Sequence, residues 1–422
     1  MEKIAIIGTG IAGMSSAYFL RESCDITFYE KNDYPGGHTN TLTVKEDGRD
    51  VFIDSGFIVF NHETYPNFLR FLQELDIKTA KTTMSFSLQH LPSGLEYCGA
   101  GLTGLFGRLR NIVDFGFWKL LFAMMRFNTE APEVLEGNKY AEYTVARYAR
   151  EKKFGEDFLE KFLLPLSSAV WSAPSDKMLD FPIVTLVRFF KNHGFMGLYG
   201  HYQWYTVEGG SRNYRDKVMG MFDSARVRLK CAAQMVSRRD GKAVIVDSTG
   251  QKISYDRVVF ACHADEALEL LGDPNPEEEY LLGHFKYQPN RVKLHTDESV
   301  MPKTRRLWSA WNYRVDADEA GGLKATTVYD MNILQKVSKT RNYFISINDP
   351  GLIDPQKVLW ETVYHHPIFT VDAARVQRHL PELNKNGCTY FCGSYFRYGF
   401  HEDAFTSGLE VAREIRGERI WD

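Results

Sequence analysis

Three glycines, Gly8, Gly10 and Gly13, stand in GTGIAG between the apolar run IAIIG and the helical stretch MSSAYFLRES, and Glu30 follows 22 positions after Gly8 at the end of DITFYEK. That spacing, between a strand and a helix, is the arrangement that cradles a dinucleotide diphosphate. Gly8 permits the tight turn, Gly10 lets the backbone approach the pyrophosphate, and Gly13 lets the helix pack on the strand. The first amides of the helix, around Ile11 and Ala12, and the helix dipole face the phosphates. Glu30, with Lys31 beside it, is placed to accept the ribose hydroxyls, and its charge makes a 2′-phosphorylated nucleotide the least expected ligand.

The elements that must hold these residues form a βαβ unit at the start of the chain. After about residue 90 the pattern changes to aromatic-rich helical segments, roughly 101 to 127 and 140 to 205. Alternating α/β character returns near VEGGSRNY at 207 to 214 and runs through VRLK, AVIVDS and RVVFACHADEAL to about 270. Strand signals follow in VKLHTD, TTVYDM, YFISIN and VLWETVYHHP, and from Thr389 to Ile415 come a strand, a glycine turn and a last helix. The chain thus leaves and re-enters its nucleotide unit twice. The expectation is an α/β fold with a discontinuous Rossmann-like domain, 1–90, 206–270 and 380–422, interleaved with an α+β substrate domain, 91–205 and 271–379.

Composition narrows the function classes. The 422 residues are 44% hydrophobic and 14% aromatic, enough for large cores. A net charge of −3 argues against a nucleic-acid partner. Six cysteines, with no CxxC pairing, fit a reducing compartment and no structural metal. No basic, apolar leader opens the sequence, and no apolar run approaches the ~18 residues of a membrane span, so a cytoplasmic protein is expected.

KNDYPGGHTNT then places Gly36 and Gly37 just after the second strand, followed by His38 and Thr39. Here the chain resembles the flavin-containing amine oxidase, phytoene desaturase and protoporphyrinogen oxidase superfamily, a two-domain flavoprotein fold. The resemblance implies FAD, with the two glycines along the diphosphate and ribityl chain. His38 stands where that superfamily commonly has arginine. DSGFIVF, with Asp54, Ser55, Gly56 and Phe57, resembles its next element, which approaches the flavin ring. LKCAAQMV resembles its middle return, implying adenine contacts near Ala233. TYFCGSYFRYGFHEDAFTSGLEVAREI resembles its last element, implying close approach of the cofactor at Gly393 and amide donors to the ring at Asp403, Ala404 and Phe405. A helix N-terminus there stabilises negative charge on reduced flavin. Cys392 and His38 sit in these motifs, yet dissociable rather than covalent FAD is expected.

GGHTNT, DSGFIVFN, AVWSAP, VEGGS, LHTD, WNY, MNILQ, HHP and GFHEDA together resemble a bacterial branch of amine-oxidase-like flavoproteins linked to cyclopropane-type fatty-acid synthases. That likeness implies a hydrophobic acyl-chain or lipid substrate oxidised or desaturated at the flavin, beside an acyl-modifying methyltransferase partner. Two alternatives stay open, an ordinary amine oxidase and a non-catalytic flavin-bound scaffold for the methyltransferase. The catalytic side chains are not fixed by the sequence. The candidates are Lys293 (or Arg291), His295, Asp297, His263 and Glu402, with His401 beside it; capping accounts equally for Glu402 and Asp403. Segment 111 to 127 either lines an acyl tunnel, packs as a buried helix, or touches a bilayer surface, so peripheral contact with the inner membrane is a further expectation. Phe189, Phe190, Phe195, Tyr199, Tyr202, Trp204 and Tyr205, and later Trp308, Trp311, Asn312 and Tyr313, are candidates to wall the substrate cavity or to fill the core.

Overall fold

Glu2–Ile7 is apolar from Ile4 to Ile7 because it is covered on both faces, as a central parallel strand must be. In the computed structural model, which describes residues 1–99, 101–196, 202–317, 322–385 and 387–421, it is the middle strand of a five-stranded parallel sheet. The spatial order is Val227–Arg228, Cys24–Tyr29, Glu2–Ile7, Arg257–Phe260, Thr389–Phe391. Strands from the start, the middle and the end of the chain therefore lie side by side.

Alternation along the central strand assigns its two faces. Ile4 and Ile6 join a core with Met14, Ala17 and Leu20 of the helix Ile11–Leu20 and with Leu409 and Ala412 of the helix His401–Arg416. Ala5 and Ile7 join a second core with Val236, Ala243 and Ile245 of a small antiparallel sheet, Ala233–Arg239, Lys242–Asp247 and Lys252–Tyr255.

The rest of the chain builds a seven-stranded sheet in the order Val358–Ile368, Lys286–His295, Phe344–Ile347, Leu323–Asp330, Trp311–Ala317, Phe86–His90, Leu95–Cys98. All its pairings are antiparallel except Trp311–Ala317 with Phe86–His90. Helices including Phe115–Glu130, Leu164–Trp171 and Ile183–Asn192 share one core with Leu88, Tyr97, Tyr313 and Val315 of that sheet.

Two local expectations change. The helical reading of 140 to 205 ends early: Trp204–Val207 is a strand paired with Thr79–Thr82 and Phe60–Asn61, as its aromatic and β-branched sequence WYTV favours. The apolar stretch 111 to 127 is broken at Asp114, whose carboxylate accepts the Phe117 N–H at 3.1 Å and so starts a new helix.

The first and last helices cross closely. The Ser15 hydroxyl donates to the Phe405 carbonyl (2.8 Å) and the Ser16 hydroxyl to that of Gly408 (3.1 Å). A Cβ on Gly408 would collide with the Ala12 carbonyl oxygen. Gly408→Leu is therefore expected to destabilise the protein by roughly 2–3 kcal/mol through overpacking; urea unfolding that leaves the midpoint unchanged would contradict this packing account.

Candidate active site

The glycine turn owes its form to the neighbouring strand. Gly8 has φ +101°, and a Cβ there would sit 2.6 Å from the Ala261 carbonyl oxygen, so only glycine fits. Its amide donates to the Tyr29 carbonyl at 2.9 Å, tying the turn to the end of the second strand. A Cβ on Gly13 would strike the Gly8 carbonyl. The helix that follows begins at Gly10 with no side-chain cap and no acidic residue in its first turn, which leaves its first amides without helical partners.

These groups open onto a cavity of about 800 Å³ that runs between the parallel sheet and the seven-stranded sheet. Gly8, Gly10, Ile11, Ala12, Glu30, Lys31, Gly36, Gly37, His38, Thr39, Gly56, Phe57, Ala233, His263, Gly393 and Ala404 all line it. Glu30 is buried, with Oε2 accepting from the Thr9 amide (3.1 Å) and hydroxyl (2.5 Å) and Oε1 from the Asn32 amide and side chain (3.0 and 2.9 Å). Thr9 Oγ1 in turn accepts the Gly36 amide at 2.9 Å, which links the two glycine segments. Gly36 has φ +118°, and a Cβ would lie 2.5 Å from the Thr39 carbonyl.

Several expected residues are turned elsewhere. The strand register sends Val292 into the cavity, so the adjacent Lys293 and Arg291 point away from it; Lys293 pairs with Asp349 at 2.9 Å. His295 is buried against Ser346 at 2.7 Å, and its Nδ1 accepts the Asp297 amide; Asp297 itself binds Lys357 at 3.0 Å. None of these four lines the cavity. Glu402 reaches back to the helix Pro66–Glu74, accepting the Asn67 and Phe68 amides at 3.0 and 2.9 Å. Asp403 accepts the Tyr398 and Phe400 amides. Both carboxylates are thus spent on helix starts. Phe405 packs in the core against Phe71, 4.8 Å between ring centres. The Ala404 amide donates to the Phe400 carbonyl at 3.0 Å, so the amides free of helical partners are those of His401, Glu402 and Asp403 rather than 403 to 405. Asp54 also faces away, accepting from Ser211, Thr41 and Gln335.

The aromatic candidates divide in the same way. Phe189, Phe195, Trp204 and Trp311 line the cavity, whereas Phe190, Tyr202, Tyr205, Trp308, Asn312 and Tyr313 do not; Tyr199 lies outside the described residues. Trp171, Phe189, His193 and Phe400 form one wall. Phe189 stacks on His193 (3.7 Å) and on Phe400 (4.5 Å), and Trp171 sits 4.7 Å from Phe189 and donates its Nε1 proton to the Tyr398 carbonyl.

Sequence reasoning missed Trp171, Phe400 and the face of the long strand that carries Tyr364 and His366. The signal was the strand VLWETVYHHP, but only its pairing shows which side faces inward. Tyr364 Oη meets Ser55 Oγ at 2.8 Å and accepts from Asn40, and its ring lies 4.6 Å from that of His38. His38 is half-buried, and its Nε2 is enclosed with no hydrogen-bond partner among the described residues.

Among the described residues six histidines border the cavity: His38, His193, His263, His365, His366 and His401. Burial pulls His193 and His366 down to about 4 and His401 to about 3, and lowers His38 and His263 as well. These five are neutral imidazoles near pH 7. His401 Nε2 lies 2.8 Å from Tyr214 Oη, which lies 2.9 Å from Thr39 Oγ1, and the His401 ring stacks on Phe57 at 3.7 Å. The charged side chains among the lining residues are Glu30, Lys31, Glu266 and Glu269; Lys31 and Glu266 pair at 2.5 Å. Among the described residues no cluster of His, Cys, Asp and Glu is placed to hold a metal, and Cys24, Cys231, Cys262, Cys388 and Cys392 are free thiols.

The model of the flavin-containing amine oxidoreductase family matches residues 11–306. Solved structures similar along nearly the whole length include putrescine oxidase bound to putrescine (13% identity, 99% of both chains, TM-score 0.71). Others are a CLA-producing fatty acid isomerase from P. acnes (13%, 97% of both chains, TM-score 0.68) and reduced UDP-galactopyranose mutase (16%, 99% of this chain and 96% of that one, TM-score 0.68). At these identities the likeness shows a shared fold. No curated protein matches the sequence.

Burial raises Glu402 to about 7 against the opposing pull of the two amides it accepts. A carboxyl raised in the folded state lends stability below its unfolded value, about 4.5, and loses it as pH climbs through the folded value. The wild type is therefore expected to lose roughly 2 kcal/mol relative to Glu402→Gln between about pH 5 and pH 8. Parallel thermal melts of the two proteins check this, and a difference that does not move with pH would refute it.

Proposed function

Because the chain belongs to the flavin-containing amine oxidoreductase family, and is an FAD-dependent oxidoreductase, we propose that it oxidises or desaturates a hydrophobic acyl-chain or lipid substrate held in the cavity. One observation carries this reading. Apart from Glu30, Lys31, Glu266 and Glu269, the described lining holds no acidic side chain, lysine or arginine, and its wall is largely aromatic and aliphatic, with Val170, Trp171, Phe189, Val292, Trp311 and Ile347 beside the hydroxyls of Ser172 and Thr362. An ammonium substrate would find no carboxylate there, whereas an acyl chain loses nothing by leaving water.

The residues fit the cofactor. The uncapped helix start at Gly10 would take the diphosphate, with Gly8, Ile11 and Ala12 beside it and Gly13 holding the helix to the sheet. Glu30, with Lys31, would meet the ribose, Ala233 the adenine, and Gly36, Gly37, His38 and Thr39 the ribityl side. Gly56, Phe57, Gly393 and the start of the last helix would border the ring. The enclosed, unpartnered Nε2 of His38 is what a polar ligand atom would satisfy. This assigns the parallel sheet, its small antiparallel cover and the last helix to the cofactor domain, and the seven-stranded sheet with its helices to the substrate domain.

When bound, FAD supplies a hydride acceptor at N5. The chain's part is then positional: the wall of Trp171, Phe189 and Phe400 holds an apolar chain and excludes water, and the neutral histidines add no competing charge. Oxidation also releases a proton beside the hydride, which a neutral imidazole bordering the cavity, such as His193 or His401, could accept, so no ionised carboxylate is needed and Lys293 and Glu402 can be engaged elsewhere.

A Cβ on Gly10 would meet no protein atom within 4 Å, and its φ of −62° suits any residue. Gly10→Val is therefore expected to fold with an unchanged melting temperature of the flavin-free protein and to lose roughly tenfold or more in FAD affinity, since the side chain takes the diphosphate's place. Retained affinity would move the diphosphate elsewhere.

The substrate reading is tested by anaerobic bleaching of the flavin's visible absorbance with phospholipid acyl chains in one series and primary amines or polyamines in another. Bleaching by lipid alone is the expected result. Bleaching by amines would replace the reading with amine oxidation, and no bleaching by either, with stoichiometric FAD, would favour a scaffold that holds an acyl-modifying methyltransferase.

A further inference from the structure

The helix Phe115–Glu130 carries two apolar stripes. Phe117, Leu120, Met124 and Phe127 are buried in the core of the helical layer. Phe115, Trp118, Phe122 and Met125 repeat the same spacing two residues earlier, about 200° round the helix, and they face outward: Phe115 is 73% exposed, Phe122 63% and Met125 55%. The turns before the helix continue the surface with Leu109, Ile112 and Val113, the last 83% exposed. Eight of the seventeen exposed large hydrophobic side chains among the described residues fall between positions 102 and 125. Such concentration marks a contact surface rather than scattered exposure.

The chemistry of the patch says what covers it. Residues 101–127 hold Arg108, Arg110, Lys119 and Arg126 against Asp114 alone, a net +3 in a chain whose total is −3. Arg108 and Arg126 reach carboxylates just outside this stretch, Glu96 (3.7 Å) and Glu130 (3.6 Å), whereas Arg110 and Lys119 have no carboxylate partner among the described residues, and the Lys119 ammonium lies 5.0 Å from the centre of the Phe115 ring. Trp118 already donates its Nε1 proton to the Ile112 carbonyl at 2.9 Å, so its ring can enter an apolar phase without leaving a donor unpaired. A second copy of the chain fits poorly, because a two-fold contact across this face would bring the uncompensated Arg110 and Lys119 together with their own images.

We propose that this face docks the protein on an anionic lipid bilayer, with the helix lying in the headgroup plane and Phe115, Phe122 and Met125 entering the acyl boundary. No helix among the described residues is long and apolar enough to cross a membrane, so the attachment is to one surface. The buried stripe of this helix shares its core with Trp171 and Phe189, which also line the cavity; one helical layer thus faces lipid on one side and the site on the other. The surface argument does not rest on the substrate reading, and its readout, vesicle binding, is separate from flavin reduction.

The experiment is co-sedimentation of the full-length, FAD-loaded protein with vesicles of phosphatidylcholine, with and without phosphatidylglycerol. The wild type is expected to pellet with the phosphatidylglycerol vesicles. Phe122→Ser with Met125→Ser, and separately Arg110→Glu with Lys119→Glu, are expected to lose roughly tenfold in partition coefficient while keeping the flavin spectrum and melting temperature. Wild type that stays in the supernatant, or binding that both double variants retain, would overturn the proposal. So would a vesicle-free dimer that the Phe122 and Met125 changes turn into a monomer, which would assign the face to a second copy.

Discussion

The close crossing of the first and last helices is the contact on which the architecture rests. Gly408 lets the backbone of the last helix approach that of the first, and the Ser15 and Ser16 hydroxyls satisfy carbonyls that the approach would otherwise crowd. Because the fingerprint turn begins one helix and the 398–401 loop begins the other, fixing this crossing aims both helix starts at the same cavity. A helix start brings unpaired amides and partial positive charge, so the crossing sets the electrostatics of the site as well as its shape.

A second constraint is the sorting of charge along the cavity. The ionisable acids and the lysine of the lining lie around the fingerprint, where Lys31 and Glu266 compensate each other. Beyond it the chain presents aromatic rings and imidazoles that burial keeps neutral. Carboxylates that do come near, Glu402, Asp403 and Asp54, are each absorbed by backbone amides or hydroxyls. Burying them paired costs less than burying them unpaired, and beyond the fingerprint no acidic side chain, lysine or arginine among the described residues lines the cavity.

Local features were legible because local residues cause them. GTGIAG, the acidic residue after the second strand, GGHT and the glycine before the last helix are recognisable from type and spacing within a few residues, even where a distant group such as the Ala261 carbonyl enforces the glycine, and each borders the cavity. The strands of the later half were also visible in their β-branched and aromatic runs. Trp204–Val207 was not, since four residues following a helical stretch carry too little pattern, and its partners lie more than a hundred positions earlier.

The sequence by itself determined the nucleotide fold and the segments that return to the sheet, because glycine placement and hydrophobic period act over a few residues; the flavin class came from its resemblance to a flavoprotein superfamily. Tertiary structure decided which side chains face the cavity. A strand shows one residue inward and the next outward, so pairing with Thr362 and Ile347 turned Val292 to the site and Lys293 to Asp349. The wall of Trp171, Phe189 and Phe400 joins residues more than two hundred positions apart, and no local rule brings them together. The outward stripe at Phe115, Phe122 and Met125 reads in sequence like the buried one beside it; only packing showed which of the two is left in solvent.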